Sequence, residues 1–140
     1  VQVKLAGGQP SLFLLMGRTQ DLPIEWVAEY LERFKAQGIR ATISMGINAR
    51  LMRDGPVDQI VSCIRRFIDL LGRDHNLTLA GMTPSATPPE HIHAAIAAAR
   101  AYGKLPIAEN LDEITFDIPE REPFAEYVNK MSQGKGLQFQ

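Results

Sequence analysis

Asn48 and Arg50 stand two residues apart, just after the apolar run from Ile39 to Gly46. An amide and a guanidinium placed this way could orient a substrate carboxylate or a polar ring substituent. The planar guanidinium offers paired N–H donors to two oxygens. Arg18 follows an earlier apolar run, Ser11 to Met16, and offers a second cation. A plainer role is open to the same residues: Arg50 can cap a neighbouring carbonyl or pair with Asp54.

The other reactive side chains point to structure more than to chemistry. His91 and His93 are two apart, and helical positions at that spacing do not face each other. A joint metal site is therefore not expected, and both read as solvated first-turn residues able to touch a partner protein. His75 sits in the turn Gly-Arg-Asp-His-Asn before a strand, where structural roles dominate. Cys63 falls mid-helix beside a stripe of Ile60, Ile64 and Phe67, and reads as a buried, inert thiol. As the sole cysteine it forms no intrachain disulfide and no cysteine-rich metal site, and a reducing cytoplasm is the expected compartment. Gly7 and Gly8 lack the spacing of a dinucleotide-binding loop. Met45, Met52 and Met82 suit either an apolar pocket or the core. No metal site is expected within the chain.

The elements that must position these residues alternate. "SLFLLM", Ser11 to Met16, reads as a buried strand. The helix after it places Ile24, Val27, Ala28, Leu31 and Phe34 on one face. Asp21 can cap it, Pro23 falls in its first turn, and Gly38 closes it. "IRATISMG", Ile39 to Gly46, is the second strand, and "INARLMRDG" reads as a loop. A second helix runs from Pro56 to Leu71, with Val57, Ile60, Val61, Ile64, Phe67, Ile68 and Leu71 as its stripe and Gly72 at its end. "NLTLAGM" is the third strand. Thr87, Pro88 and Glu90 then suggest a capping box opening a helix that Gly103 stops after Tyr102. Beyond Pro106 the chain is acidic and irregular, with "PFAEYVNKM" as a short helix and "SQGKGLQFQ" as a frayed tail.

Strand–helix alternation predicts an α/β fold with a largely parallel sheet. Three parallel strands are few for such a sheet, so part of it is expected to be missing. The length, 140 residues, fits one domain. Charged residues make up 22% and the formal net charge is −1, without blocks of one sign. That argues against a non-specific nucleic-acid binder, which needs a basic face, and leaves a localised basic patch open. No apolar run approaches the roughly 18 to 20 residues that span a bilayer.

The run from Val61 to Gly103 resembles the C-terminal end of the uroporphyrinogen decarboxylase superfamily. The residues that carry this are the short strand Leu77 to Gly81, then Thr87, Pro88, Pro89, Glu90 and His91, and the helix end Ala98 to Gly103. Asp54, Gly55 and Pro56 fit the start of the family's preceding helix. "MGINARLMRDGPVDQIV" and the Thr-Pro-Pro-Glu helix look closest to methyltransferases of anaerobic O-demethylation.

The resemblance implies the last three βα units of a TIM (β/α)8 barrel over residues 1–105, then a C-terminal extension over 106–140. A whole barrel needs about 250 residues, so the rest of the barrel or a second copy of the chain would complete it. Active sites of barrels lie at the C-terminal strand ends. That selects Arg18, Asn48 and Arg50 for substrate orientation, with Gly81, Met82 and Thr83 shaping the pocket. The implied activity moves a methyl group from a methoxylated small molecule to a corrinoid protein, and the fragment alone is expected to be inactive. The chain itself would bind no cofactor; the corrinoid would sit on the partner, because "RDH" lacks a cobalamin-binding pattern. The relatives acting on thiols hold zinc through a cysteine near Gly81 or Met82, and this chain has none there. Two alternatives stand beside this reading: decarboxylation of a tetrapyrrole such as uroporphyrinogen, and a non-catalytic half-barrel that self-associates.

Overall fold

The computed structural model describes residues 2–6, 9–14, 23–81, 83–120 and 124–133; side chains are described for these except at 2–6, 9–14, 124 and 127. In chain order the elements are β1 (Gln2–Ala6), β2 (Gln9–Leu14), α1 (Ile24–Ala36), β3 (Thr42–Ile47), α2 (Ala49–Asp54), α3 (Val57–Phe67), β4 (Asn76–Gly81), α4 (Pro89–Tyr102) and α5 (Phe124–Ser132). A π-helical turn, Ile68–Gly72, prolongs α3, and a 3-10 turn, Leu111–Glu113, follows α4.

The fold is α/β. One four-stranded sheet has the order β1-β2-β3-β4. β2 with β3 and β3 with β4 are parallel; β1 with β2 is antiparallel. The sheet is therefore mixed, and β1 was not expected. Its polar alternation, Gln-Val-Lys-Leu-Ala, hides among the longer apolar runs, and its sequence signal is the Gly-Gly pair between two strand-forming stretches. The expected cap at Asp21 lies outside the described residues.

Strand alternation decides where the core sits. Ile43, Met45 and Ile47 are buried, while Thr42 and Ser44 on the alternate positions are half-buried; Gly46 is buried as well. The register sets Ile43 beside Leu77 and Met45 beside Leu79, and on the other face Thr42 beside Asn76 and Ser44 beside Thr78. Asn76 and Thr78 are exposed. Helix α1 brings Ile24, Val27 and Leu31 to Ile43, Met45, Phe67 and Leu71. Helices α3 and α4 bring Ile60, Ile64, Ala95, Ala98 and Tyr102 to Ile47. Leu77 and Leu79 pack against both groups. So α1, α3 and α4 share one face of the sheet, and the face of Thr42, Ser44, Asn76 and Thr78 carries no helix among the described residues. Each fully buried Leu or Ile, such as Leu31, Ile43 or Ile64, contributes about 1.5–3 kcal/mol by leaving water.

Helix ends explain the remaining differences from the sequence reading. Gly38 does close α1: its φ is 69°, and Ile39 N and Gly38 N donate to Phe34 O and Lys35 O as in a Schellman motif. "INARLMRDG" is not a loop but contains α2, capped by Asn48, whose Oδ1 accepts from Arg50 N at 2.8 Å and Leu51 N at 3.1 Å. Thr87 does not cap α4. Pro89 holds Pro88 extended, at φ −60° and ψ 134°, so the helix begins one residue later than expected. The Thr87 hydroxyl instead donates to Pro84 O at 2.7 Å and closes a turn. Glu90 remains in the first turn, where its charge suits the helix dipole.

The stretch after Tyr102 packs back onto the helices. Leu111 is buried, Ile107, Ile114 and Phe116 pack beside it, and the Phe116 ring meets Tyr102 edge-on at 5.3 Å. The Arg73 guanidinium fastens this return by donating to Ala108 O and Glu109 O while holding Asp69. Phe124–Ser132 forms α5, the short helix expected there, and Pro123 lies outside the described residues.

Candidate functional site

The parallel register brings the ends of β3 and β4 level, because Ile47 pairs with Gly81. Asn48 and Thr83 therefore leave the sheet at the same end. Gly81 and Thr83 are exposed there, and a Cβ at Gly81 would meet nothing within 4 Å. No steric need for glycine exists at that position. Arg18 and Met82 lie outside the described residues.

Asn48 and Arg50 do not join Gly81 and Thr83 in one hollow. They line a cleft of about 660 Å³ among the helices. The N-terminus of α1 gives it Pro23, Ile24 and Glu25; α2 gives Arg50, Leu51 and Asp54; α3 gives Gln59, Ser62, Cys63, Arg66 and Phe67. The floor is apolar and the rim is charged. The cleft is wide and open to solvent.

The rim charges are unevenly matched. Arg53 grips Asp54 with two bonds, Nε to Oδ1 at 2.6 Å and Nη2 to Oδ2 at 2.9 Å. Arg50 Nε stands 3.5 Å from Asp54 Oδ2, and its side chain is 86% exposed. The expected Arg50–Asp54 pairing thus exists, but the neighbouring arginine dominates it. The Arg53 hydrogen bond holds the Asp54 carboxyl below its ordinary range, and the same contact raises Arg53. Across the cleft, Arg66 pairs with Glu25. Glu25, Arg53 and Arg66 escaped the sequence reading. One signal was present: Gln59, Ser62, Cys63 and Arg66 recur at helical spacing along the flank of α3.

Cys63 is half-buried in the cleft wall, not fully buried as its place beside the stripe suggested. His91 is not a solvated first-turn residue. It is half-buried, and its Nδ1 donates to Met52 O at 2.8 Å, joining α4 to α2. His75 does have a structural role: it is 4% exposed, and its Nδ1 accepts from Ala41 N at 3.1 Å. Burial lowers its pKa, against the opposing pull of Asp74 and Glu32.

Among the described residues, no cluster of three or more His, Cys, Asp or Glu is placed to hold a metal. Among the same residues, no helix is long and apolar enough to cross a membrane. Comparison of the chain with protein-family models, curated proteins and solved structures finds no match.

Proposed function

We propose that the chain is a sector of a (β/α)8 barrel resembling the C-terminal part of the uroporphyrinogen decarboxylase superfamily, serving a methyltransferase that passes a methyl group from a methoxylated small molecule to a corrinoid protein. One observation carries the barrel reading. β2, β3 and β4 are parallel and adjacent in chain order, and α1, α3 and α4 cover only one face; the antiparallel β1 holds the outer edge of β2, where a whole barrel would need a parallel strand instead. A doubly wound sheet reverses its strand order and places helices on both faces. A barrel keeps the order and turns the bare face inward.

In this reading Thr42, Ser44 and Thr78 face the barrel interior. They are smaller and more polar than the branched residues that usually fill one. This sector therefore leaves room near the axis for larger side chains or substrate. The strand ends at Asn48, Gly81 and Thr83 form part of the mouth. Asn48 fixes the start of α2 through its side-chain cap and so holds the rim in place. Gly81 and Thr83 add an unobstructed edge. The corrinoid, carried by the partner, supplies the methyl-accepting metal centre.

The test uses the natural polypeptide that carries this chain, mixed with a Co(I) corrinoid carrier and a panel of methoxyarenes. Methylation of the corrinoid, followed by its visible spectrum, is the expected result. No spectral change with any donor counts against demethylation.

A further inference from the structure

The cleft between α1, α2 and α3 holds a surplus cation, and we propose that it binds an organic anion with a flat apolar body. The inference does not depend on the barrel reading: Asn48 borders both places, but the binding groups are the charges of Glu25, Arg50, Asp54 and Arg66 among the helices and not Gly81 or Thr83. Two guanidinium groups, Arg50 and Arg66, and two carboxylates, Glu25 and Asp54, line it. The apparent balance is broken by Arg53, which does not line the cleft. It engages both oxygens of Asp54. Arg50 keeps only a 3.5 Å approach to one of those oxygens. Counting Arg53 with the four rim groups leaves one positive charge in excess, and Arg50 is its most exposed carrier.

A carboxylate entering the cleft would take the fork of Arg50 in two N–H···O bonds, at little cost to Asp54, which Arg53 continues to hold. Its apolar body would lie over Leu51, Ile24 and Phe67. Sulfonates and phosphates share the same geometry. Neutral molecules of the same shape gain the apolar contact but not the paired bonds.

The test is a titration of the chain with 2-naphthoate, and in parallel with 2-naphthamide, by isothermal calorimetry and by the fluorescence of Trp26. This sole tryptophan follows Glu25, a residue of the cleft wall, in sequence and is itself exposed beside the cleft. Saturable binding of 2-naphthoate, at least about tenfold tighter than 2-naphthamide, is expected from the loss of the charge-assisted pair. Arg50→Gln should weaken naphthoate binding by about the same factor. Arg53→Gln should also weaken it, although residue 53 is outside the cleft, because Asp54 then becomes free to neutralise Arg50. Glu25→Gln should tighten it by releasing Arg66. These are exposed side chains, and unchanged circular dichroism confirms that each variant folds. Equal affinity for acid and amide, absence of saturable binding, or an Arg53→Gln variant that binds like the wild type would each overturn the proposal. Failure here leaves the methyl-transfer assay unaffected, so the two readings fall separately.

Discussion

His91 Nδ1 donates to the backbone carbonyl of Met52 across 2.8 Å, so the first turn of α4 is tied to the last turn of α2. The ring also presses on Gly55: a Cβ there would lie 2.8 Å from His91 Cε1. Gly55 has φ 69°, a conformation that glycine alone adopts without strain. Gly55→Ala is expected to destabilise the fold by more than about 1 kcal/mol. His91→Ala is expected to cost about 1 kcal/mol through the lost hydrogen bond. Combined, the two should be less than additive, because removing the ring removes the clash. Urea unfolding of the two single variants and the double variant measures this, and strict additivity would contradict the contact.

The two polar residues that precede helices should respond differently to truncation. Asn48→Ala removes a side-chain cap and should cost about 1 kcal/mol. Thr87→Ala removes only a turn-closing hydroxyl and should leave the helicity of α4 intact. Circular dichroism with denaturant midpoints separates the two, and a loss of helicity in Thr87→Ala would restore Thr87 to the cap.

His75 should make stability pH-dependent near neutrality. Burial lowers its folded-state pKa below the ordinary 6.5, with Asp74 and Glu32 opposing and Arg40 and Lys35 assisting. The unfolded chain then binds the proton first, so stability is complete above about 6.5 and falls as the pH drops below it. Protonation also removes the acceptor that Ala41 N uses. Denaturant midpoints measured from pH 7.5 to 5 should decline, and His75→Gln should decline less. Equal slopes would argue against the buried neutral ring.

Ile64 is fully buried between α3, α4 and the sheet. Ile64→Ala should destabilise by about 2–5 kcal/mol, the range for a buried Ile emptied to Ala. Ile96, 47% exposed on α4, should tolerate the same change within about 0.5 kcal/mol. Thermal unfolding of both variants checks the contrast.

Much of this architecture was legible because apolar periodicity reports burial directly. Ile60, Ile64, Phe67 and Leu71 announce the inner face of α3, and Gly38 announces the end of α1. The cap at α4 was misread because the Thr-x-x-Glu pattern takes no account of the second proline, which delays the helix. Helix α2 was missed because Pro56 and Gly55 so near its end resemble a loop, although Asn48 is a favoured capping residue. Half of the cleft was hidden for another reason. Glu25 and Arg66 meet only because α1 and α3 lie side by side on the sheet, and no local pattern records that adjacency. The dominance of Arg53 over Arg50 at Asp54 likewise depends on side-chain geometry that spacing does not encode.

In the proposed barrel, β2, β3 and β4 form one sector. An experimental structure of the natural polypeptide tests it most directly. A closed barrel requires a further parallel strand hydrogen-bonded along the outer edge of β4 and a parallel strand beside β2 in place of the antiparallel β1, with Thr42, Ser44 and Thr78 enclosed inside. A helix packed on that face, or a sheet that ends at β4, would contradict it.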